Sequence, residues 1–136
     1  MKKIVITWSA SMQDKISYYE KYFSDKWYNV IDTPKPIPEN TFFKEYPKVF
    51  TDFFFFFTKT DILFIMNEDK KWVSWYIWPA SFSEMCFWVA QNRIYNKNIK
   101  IILLKMPEEK VQSYDEFKLW LKLWWIELFD EKLFNN

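Results

Sequence analysis

The sequence contains no glycine and no histidine, and it has a single cysteine, Cys86. Average usage of about 7% predicts roughly nine or ten glycines in this length. With no histidine and no second cysteine, the usual zinc ligand sets cannot be assembled. No imidazole exists to activate a hydroxyl or a thiol, so Cys86 reads as a small buried residue rather than a nucleophile. One cysteine excludes an internal disulfide and fits a reducing cytoplasm. No apolar run approaches the roughly 18–20 residues of a membrane span. The opening MKKIVITW lacks the apolar stretch of a signal peptide. Lys and Arg number 19 against 18 for Asp and Glu, so the net charge is only +1. That balance gives no electrostatic case for nucleic acid or an anionic membrane as partner.

What is present is a chain of 136 residues, half of them hydrophobic. That is enough for one domain over residues 1–136 with a sizeable core. Nine tryptophans are present, and their places are unusual. Trp8 follows the first apolar run and Trp27 ends the first helical segment. Trp72, Trp75 and Trp78 crowd into KKWVSWYIWPA, a connecting loop. Turns and helix ends ask for glycine, because the backbone there visits conformations that a Cβ resists.

The β-branched run Lys3 to Thr7 predicts a buried strand. Ser9 and Ser11 can cap a helix over Met12 to Lys26, with Met12, Ile16, Tyr19 and Phe23 on one face. A second strand is expected at Tyr28 to Ile31, followed by the proline-rich loop TPKPIPEN. Pro47 can open the next helix. There Phe50, Phe53, Phe54 and Phe57 form a stripe, and Phe55 and Phe56 fall off it. Ile62 to Met66 reads as a third strand, Ala80 to Gln91 as a helix and Lys100 to Leu104 as a fourth strand. Tyr114 to Leu123 reads as a helix with Phe117, Trp120 and Leu121 inward, and Ile126 to Phe129 as a short last strand. Continuous apolar strands alternating with helices predict an α/β fold: a three-layer Rossmann-like (flavodoxin-like) domain with a parallel sheet of four to five strands. Such sheets bind ligands beyond the carboxyl ends of their strands.

The segment from Asp61-Ile-Leu-Phe-Ile-Met-Asn67 through the tryptophan loop to Tyr76-Ile-Trp-Pro-Ala-Ser-Phe-Ser-Glu84-Met-Cys-Phe-Trp-Val-Ala90 resembles the core of the nucleoside 2-deoxyribosyltransferase-like family. That family has Ala-Asp, an apolar strand ending in a polar residue, a glycine-rich loop, and a helix bearing a glutamate followed by a small residue and Ala. The opening Ile-Thr-Trp-Ser-Ala-Ser resembles its first-strand turn. The resemblance runs from Lys2 to about Leu104 and implies a nucleotide-metabolism enzyme without a cofactor. It cleaves the N-glycosidic bond of 2′-deoxynucleosides or their monophosphates, by transfer to a second base or by hydrolysis. Glu84 is the implied nucleophile, forming a glycosyl-enzyme. Asn67 and Asp69 are the candidates to contact the sugar or to protonate the leaving base. Ser9, Ser11, Tyr76 and Ser81 are candidates to bind substrate. Family members commonly assemble so that neighbours complete the site, which implies a homo-oligomer.

Each residue also has a plainer reading. Glu84 suits a first-turn glutamate favoured by the helix dipole. Asn67 and Asp69 suit turn formers, and Ser9 and Ser11 helix caps. A non-catalytic Rossmann-like module binding a nucleotide or a partner is the alternative from another class. A flavodoxin-like electron carrier is a weaker third, because WSASM is a poor phosphate loop.

Where the family pattern has glycine, this chain has Trp8, Trp75, Trp78 and Trp88, and the same pattern extends to Trp27, Trp72 and Trp124. Trp120 fits an authentic core position; Trp125 is ambiguous. A gene whose UGA codons mean glycine, read instead with UGA as tryptophan, gives this pattern. It requires every glycine codon to be UGA. Deliberate Gly→Trp substitution gives the pattern too. Authentic indoles at Trp78 and Trp88 are expected to crowd Glu84 and to impair folding or activity.

Overall fold

The structure is a computed structural model, and it describes residues 1–7, 12–70 and 72–135. Its strands and helices alternate: β1 (Lys3–Thr7), α1 (Gln13–Asp25), β2 (Asn29–Asp32), α2 (Phe42–Phe57), β3 (Ile62–Ile65), the hairpin β4 (Glu68–Lys70) and β5 (Val73–Tyr76), α3 (Pro79–Tyr95), β6 (Lys100–Leu103), α4 (Tyr114–Lys122) and β7 (Glu127–Leu128). Five strands form one sheet in the order β2-β1-β3-β6-β7, and every pairing in it is parallel. The expected α/β, three-layer Rossmann-like domain is therefore what the chain forms.

The register explains the apolar strands. Ile4 lies opposite Ile62, and Ile62 opposite Lys100, so the three central strands run in step to Thr7, Ile65 and Leu103. Side chains alternate across a strand. Val5, Leu63, Ile65, Ile101 and Leu103 face one layer, built from Phe57 of α2, Met85, Trp88 and Val89 of α3, and Phe117 and Trp120 of α4. Ile4, Ile6, Ile62, Phe64 and Ile102 face the other, built from Ile16 and Phe23 of α1 and from Phe134 near the C-terminus. A strand covered on both faces has no polar side to show, hence the runs KIVIT, ILFI and KIIL.

Several boundaries differ from the sequence expectation. The helix expected to open at Pro47 starts at Phe42, with Pro47 inside it. A 3-10 turn at Glu39–Thr41 feeds directly into it, and the Thr41 hydroxyl donates to Glu45 at 2.8 Å. Only the C-terminal half of α2 lies over the core. Phe57 is buried and Phe53 and Phe54 pack against it, while Phe50 is exposed despite belonging to the stripe. Phe56, off the stripe, still packs against the core, and Phe55 is exposed. Residues 68–76, read as loop, form an antiparallel hairpin outside the main sheet. The N-cap of α1 falls on Met12 and has no side-chain cap, and Ser9 and Ser11 lie outside the described residues. No helix among the described residues is long and apolar enough to cross a membrane.

Phe64 sits at the centre of the sheet, fully buried, with the rings of Tyr19, Phe23 and Phe129 at 4.9–5.6 Å. Phe64→Ala is expected to cost about 3–5 kcal/mol in urea unfolding. Phe43, 92% exposed on α2, is expected to tolerate Ser within about 0.5 kcal/mol.

Candidate functional site

The carboxyl ends of the parallel strands gather the polar groups. Thr7 closes β1 on the face covered by α3. Helix α3 begins with Pro79 at its first position, where the missing N–H costs nothing, and buries Ser81, Met85, Trp88 and Val89 as one stripe. Glu84 lies on the edge of that stripe. Its position is the sixth of the helix, beyond the first turn in which the helix dipole favours a carboxylate. The dipole reading of Glu84 therefore lacks its geometry.

Instead the side chain turns toward the sheet. The Thr7 hydroxyl donates to Glu84 Oε2 across 77 residues of sequence. Burial pushes the Glu84 carboxyl up from its ordinary 4.5 to about 7, and the Thr7 hydrogen bond pulls in the opposite direction. A carboxyl balanced near neutrality, fixed by a strand on one side and a helix on the other, can act as a nucleophile or exchange a proton.

Asn67 and Asp69 are placed differently. Asn67 is 1% exposed. Its Nδ2 donates to the carbonyls of Trp75 at 2.9 Å and Lys105 at 2.8 Å, and its Oδ1 accepts from the Lys105 N–H at 3.1 Å. The amide thus ties the end of β3 to the segment after β6 and to the hairpin. Asp69 Oδ1 accepts from the Trp75 N–H at 3.0 Å. Both residues hold the backbone of position 75. Tyr76 stands edge-on to Trp78 at 5.4 Å, with Lys70 Nζ 4.0 Å above its ring. Ser81 is buried in the first turn of α3. Ser9 and Ser11 lie outside the described residues. The structure thus joins Glu84 to Thr7, and Asn67 and Asp69 to the hairpin.

The two indoles expected to crowd Glu84 are Trp88, one turn further along α3, and Trp78, just before it. Trp88 is buried in the core, edge-on to Phe57 at 5.3 Å, and its Nε1–H finds no acceptor among the described residues. Trp78 Nε1 donates to Glu68 Oε1 at 3.4 Å. Beside the start of α3 a cleft of about 520 Å³ is lined by Tyr76, Ile77, Pro79, Phe82, Ser83 and Glu116 among others; Glu84 is not one of its lining residues. Cys86 is partly buried, and burial raises its thiol pKa, with Glu116 adding to the effect. That disfavours the thiolate. Among the described residues no group of three or more acidic or cysteine side chains is placed to hold a metal.

Sequence reasoning missed Thr7 and Asp32. Thr7 is the polar residue closing an apolar strand, a signal visible in KIVIT. Asp32 ends β2 on the same edge of the sheet, where burial pushes its carboxyl up against the pull of Lys35, 3.7 Å away. Comparison of the chain with protein-family models, with curated proteins and with solved structures finds no match.

The raised carboxyl has a consequence for stability. Glu84 holds its proton more tightly folded than unfolded, so its contribution is full below about pH 4.5 and is lost as pH rises through about 7. Glu84→Gln, which cannot ionise, is therefore expected to stabilise the fold at pH 8, by on the order of 2 kcal/mol. It should have no such advantage at pH 4. Thermal unfolding at the two pH values measures the difference. Thr7→Val removes the group that favours the carboxylate, so carboxyl titration followed by NMR should show Glu84 shifted to higher pH.

Proposed function

We propose that this protein is an enzyme of N-glycosyl transfer or hydrolysis, acting on 2′-deoxynucleosides or their monophosphates through a covalent glycosyl-glutamate at Glu84. The observation that carries the reading is the Thr7–Glu84 hydrogen bond at the carboxyl edge of the parallel sheet. An oriented carboxyl at this edge supports the reading, because open α/β sheets bind their ligands there. The resemblance of Asp61 to Ala90 to the nucleoside 2-deoxyribosyltransferase-like family supplies the reaction class.

In the first half-reaction the Glu84 carboxylate attacks the anomeric carbon. The C–N bond breaks and its electron pair leaves with the base, which takes a proton from water. A second base or water then attacks the same carbon and frees the carboxylate. Thr7 is a positioning residue: its hydroxyl fixes the Glu84 oxygen and favours its ionised form. Asn67 and Asp69 shape the hairpin that borders the sugar. Tyr76 and Ser81, with Ser9 and Ser11, are the residues proposed to contact substrate. The protein acts in the cytoplasm on small molecules.

Attack requires the ionised carboxylate, so kcat/KM should rise with pH through about 7. HPLC of deoxynucleosides and their monophosphates, with and without a free base acceptor, measures base release. Both the chain as written and its Trp75→Gly form are to be assayed. Glu84→Ala should lower release on the order of 10³-fold or more. Intact-mass analysis of quenched wild-type enzyme should show a deoxyribosyl adduct that Glu84→Ala lacks. Equal rates for wild type and Glu84→Ala would remove Glu84 as nucleophile, and release from neither form of the chain would remove the reading.

A further inference from the structure

Five described residues hold the backbone at positive φ: Asn96, Asn98, Trp27, Trp75 and Trp124. For Asn96 and Asn98, with φ of 49° and 58°, the residue type suits the conformation, since asparagine enters the left-handed region more readily than most side chains. Trp27, Trp75 and Trp124, at 66°, 55° and 60°, are the opposite case, a bulky side chain where the Cβ meets the following carbonyl.

The three sit in turns whose hydrogen bonds specify the residue they want. Trp27 is the second residue past α1. Its N–H donates to the Ser24 carbonyl at 3.1 Å, and the Tyr28 N–H donates to the Phe23 carbonyl at 3.0 Å. Trp124 is the second residue past α4. Its N–H donates to Leu121 at 3.1 Å, and the Trp125 N–H donates to Trp120 at 2.9 Å. These are two complete Schellman motifs, with the left-handed residue at the position where glycine is usual. The first also has its customary apolar contact, the Tyr28 ring edge-on to Phe23 at 6.4 Å. Trp75 lies in the hairpin. Glu68 pairs with Tyr76 and Lys70 with Val73, so β5 carries one residue more than β4 between the two pairs. A left-handed residue in such a bulge is the glycine of the G1 type. Both its N–H and its carbonyl are fixed, by Asp69 and Asn67.

We infer that positions 27, 75 and 124 are glycine in the functional protein. The backbone and the packing separate these three from Trp78, Trp88, Trp120 and Trp125. Trp78 is extended, with φ of −67°. Trp88 and Trp120 are helical and buried, and Trp120 stacks on Phe82 with centroids 5.7 Å apart. Trp125 packs under Arg93, 5.0 Å from its ring. Glycine at 75 would also remove an indole that packs against the cluster containing Phe64 and Met66, at the carboxyl end of β3.

Tryptic cleavage places the three positions on separate peptides: residues 27–44, 72–93 and 123–132. Tandem mass spectrometry of the protein purified from its native cells reads each one. The expected result is glycine at 27, 75 and 124, with tryptophan retained at 125; tryptophan at any of the three overturns the inference. The conformational premise is tested independently on the recombinant chain. Trp27 and Trp124 are 78% and 81% exposed, so removing their indoles sacrifices little packing. Trp27→Gly and Trp124→Gly should each raise Tm by about 3–6 °C, whereas Trp120→Gly should lower it. No rise at either position overturns the argument from the backbone.

Discussion

The buried amide of Asn67 joins the sheet to the structure that surrounds the site. It sits where β3 ends, and its three hydrogen bonds reach the segment after β6 and the hairpin strand β5. A primary amide suits this place because it donates twice and accepts through the same planar group. Aspartate would lose both donors, and leucine would leave two carbonyls and an N–H unpaired in a buried setting, where each unmet group costs about 1–3 kcal/mol. Among the described residues no strand ladder joins the hairpin to the main sheet. Besides the packing of Val73, Trp75 and Tyr76 on the core, its position over the strand ends is held by this amide, by the Ser74 N–H donating to the Glu108 carboxylate at 2.8 Å, and by the Ser74 carbonyl accepting from the Glu108 N–H at 3.1 Å.

Glu84 is governed by the same architecture from the other side. The stripe Ser81, Met85, Trp88 and Val89 fixes the rotation of α3 against the sheet. That rotation carries Glu84 toward Thr7 rather than into solvent. Burial then disfavours its charge, and among the described residues the group acting in the opposite direction is the Thr7 hydroxyl. One hydroxyl offsets part of the desolvation and leaves the carboxyl near neutrality. A cationic partner in place of Thr7 would hold it ionised at all moderate pH, as an inert ion pair. The neutral donor is what keeps this group responsive.

The sheet could be read from the sequence because burial on both faces writes itself as unbroken apolar runs, as in KIVIT and ILFI. Glu84 and Asn67 could be picked out by their place after those runs. Their partners could not. The Thr7–Glu84 bond spans 77 residues, and no local pattern encodes a contact set by how a helix rotates on a sheet. Asn67 was open to both a catalytic and a turn-forming reading, and its three backbone partners come from segments eight and 38 residues away. Helix α2 escaped detection at its start because Pro47, a familiar opening residue, lies inside it. The hairpin escaped because Trp75 conceals a glycine-type bulge in a segment with no glycine to mark it.

The left-handed turns of this fold are met in two ways, and the contrast is informative. Between α3 and β6 the chain uses Asn96 and Asn98, and Asn92 closes the loop by pairing with both backbone groups of Ile99 at 2.7 and 2.9 Å. Residue type, conformation and hydrogen bonding agree there. At 27, 75 and 124 the hydrogen bonds and the conformation agree with each other, and only the side chain dissents. In a foldable sequence local choices support the global structure, and conflicts gather where function requires strain. Two of these three conflicts lie at the ends of α1 and α4, among residues the site does not use. Strain for catalysis does not account for them. A single substitution of residue type, applied uniformly, accounts for all three.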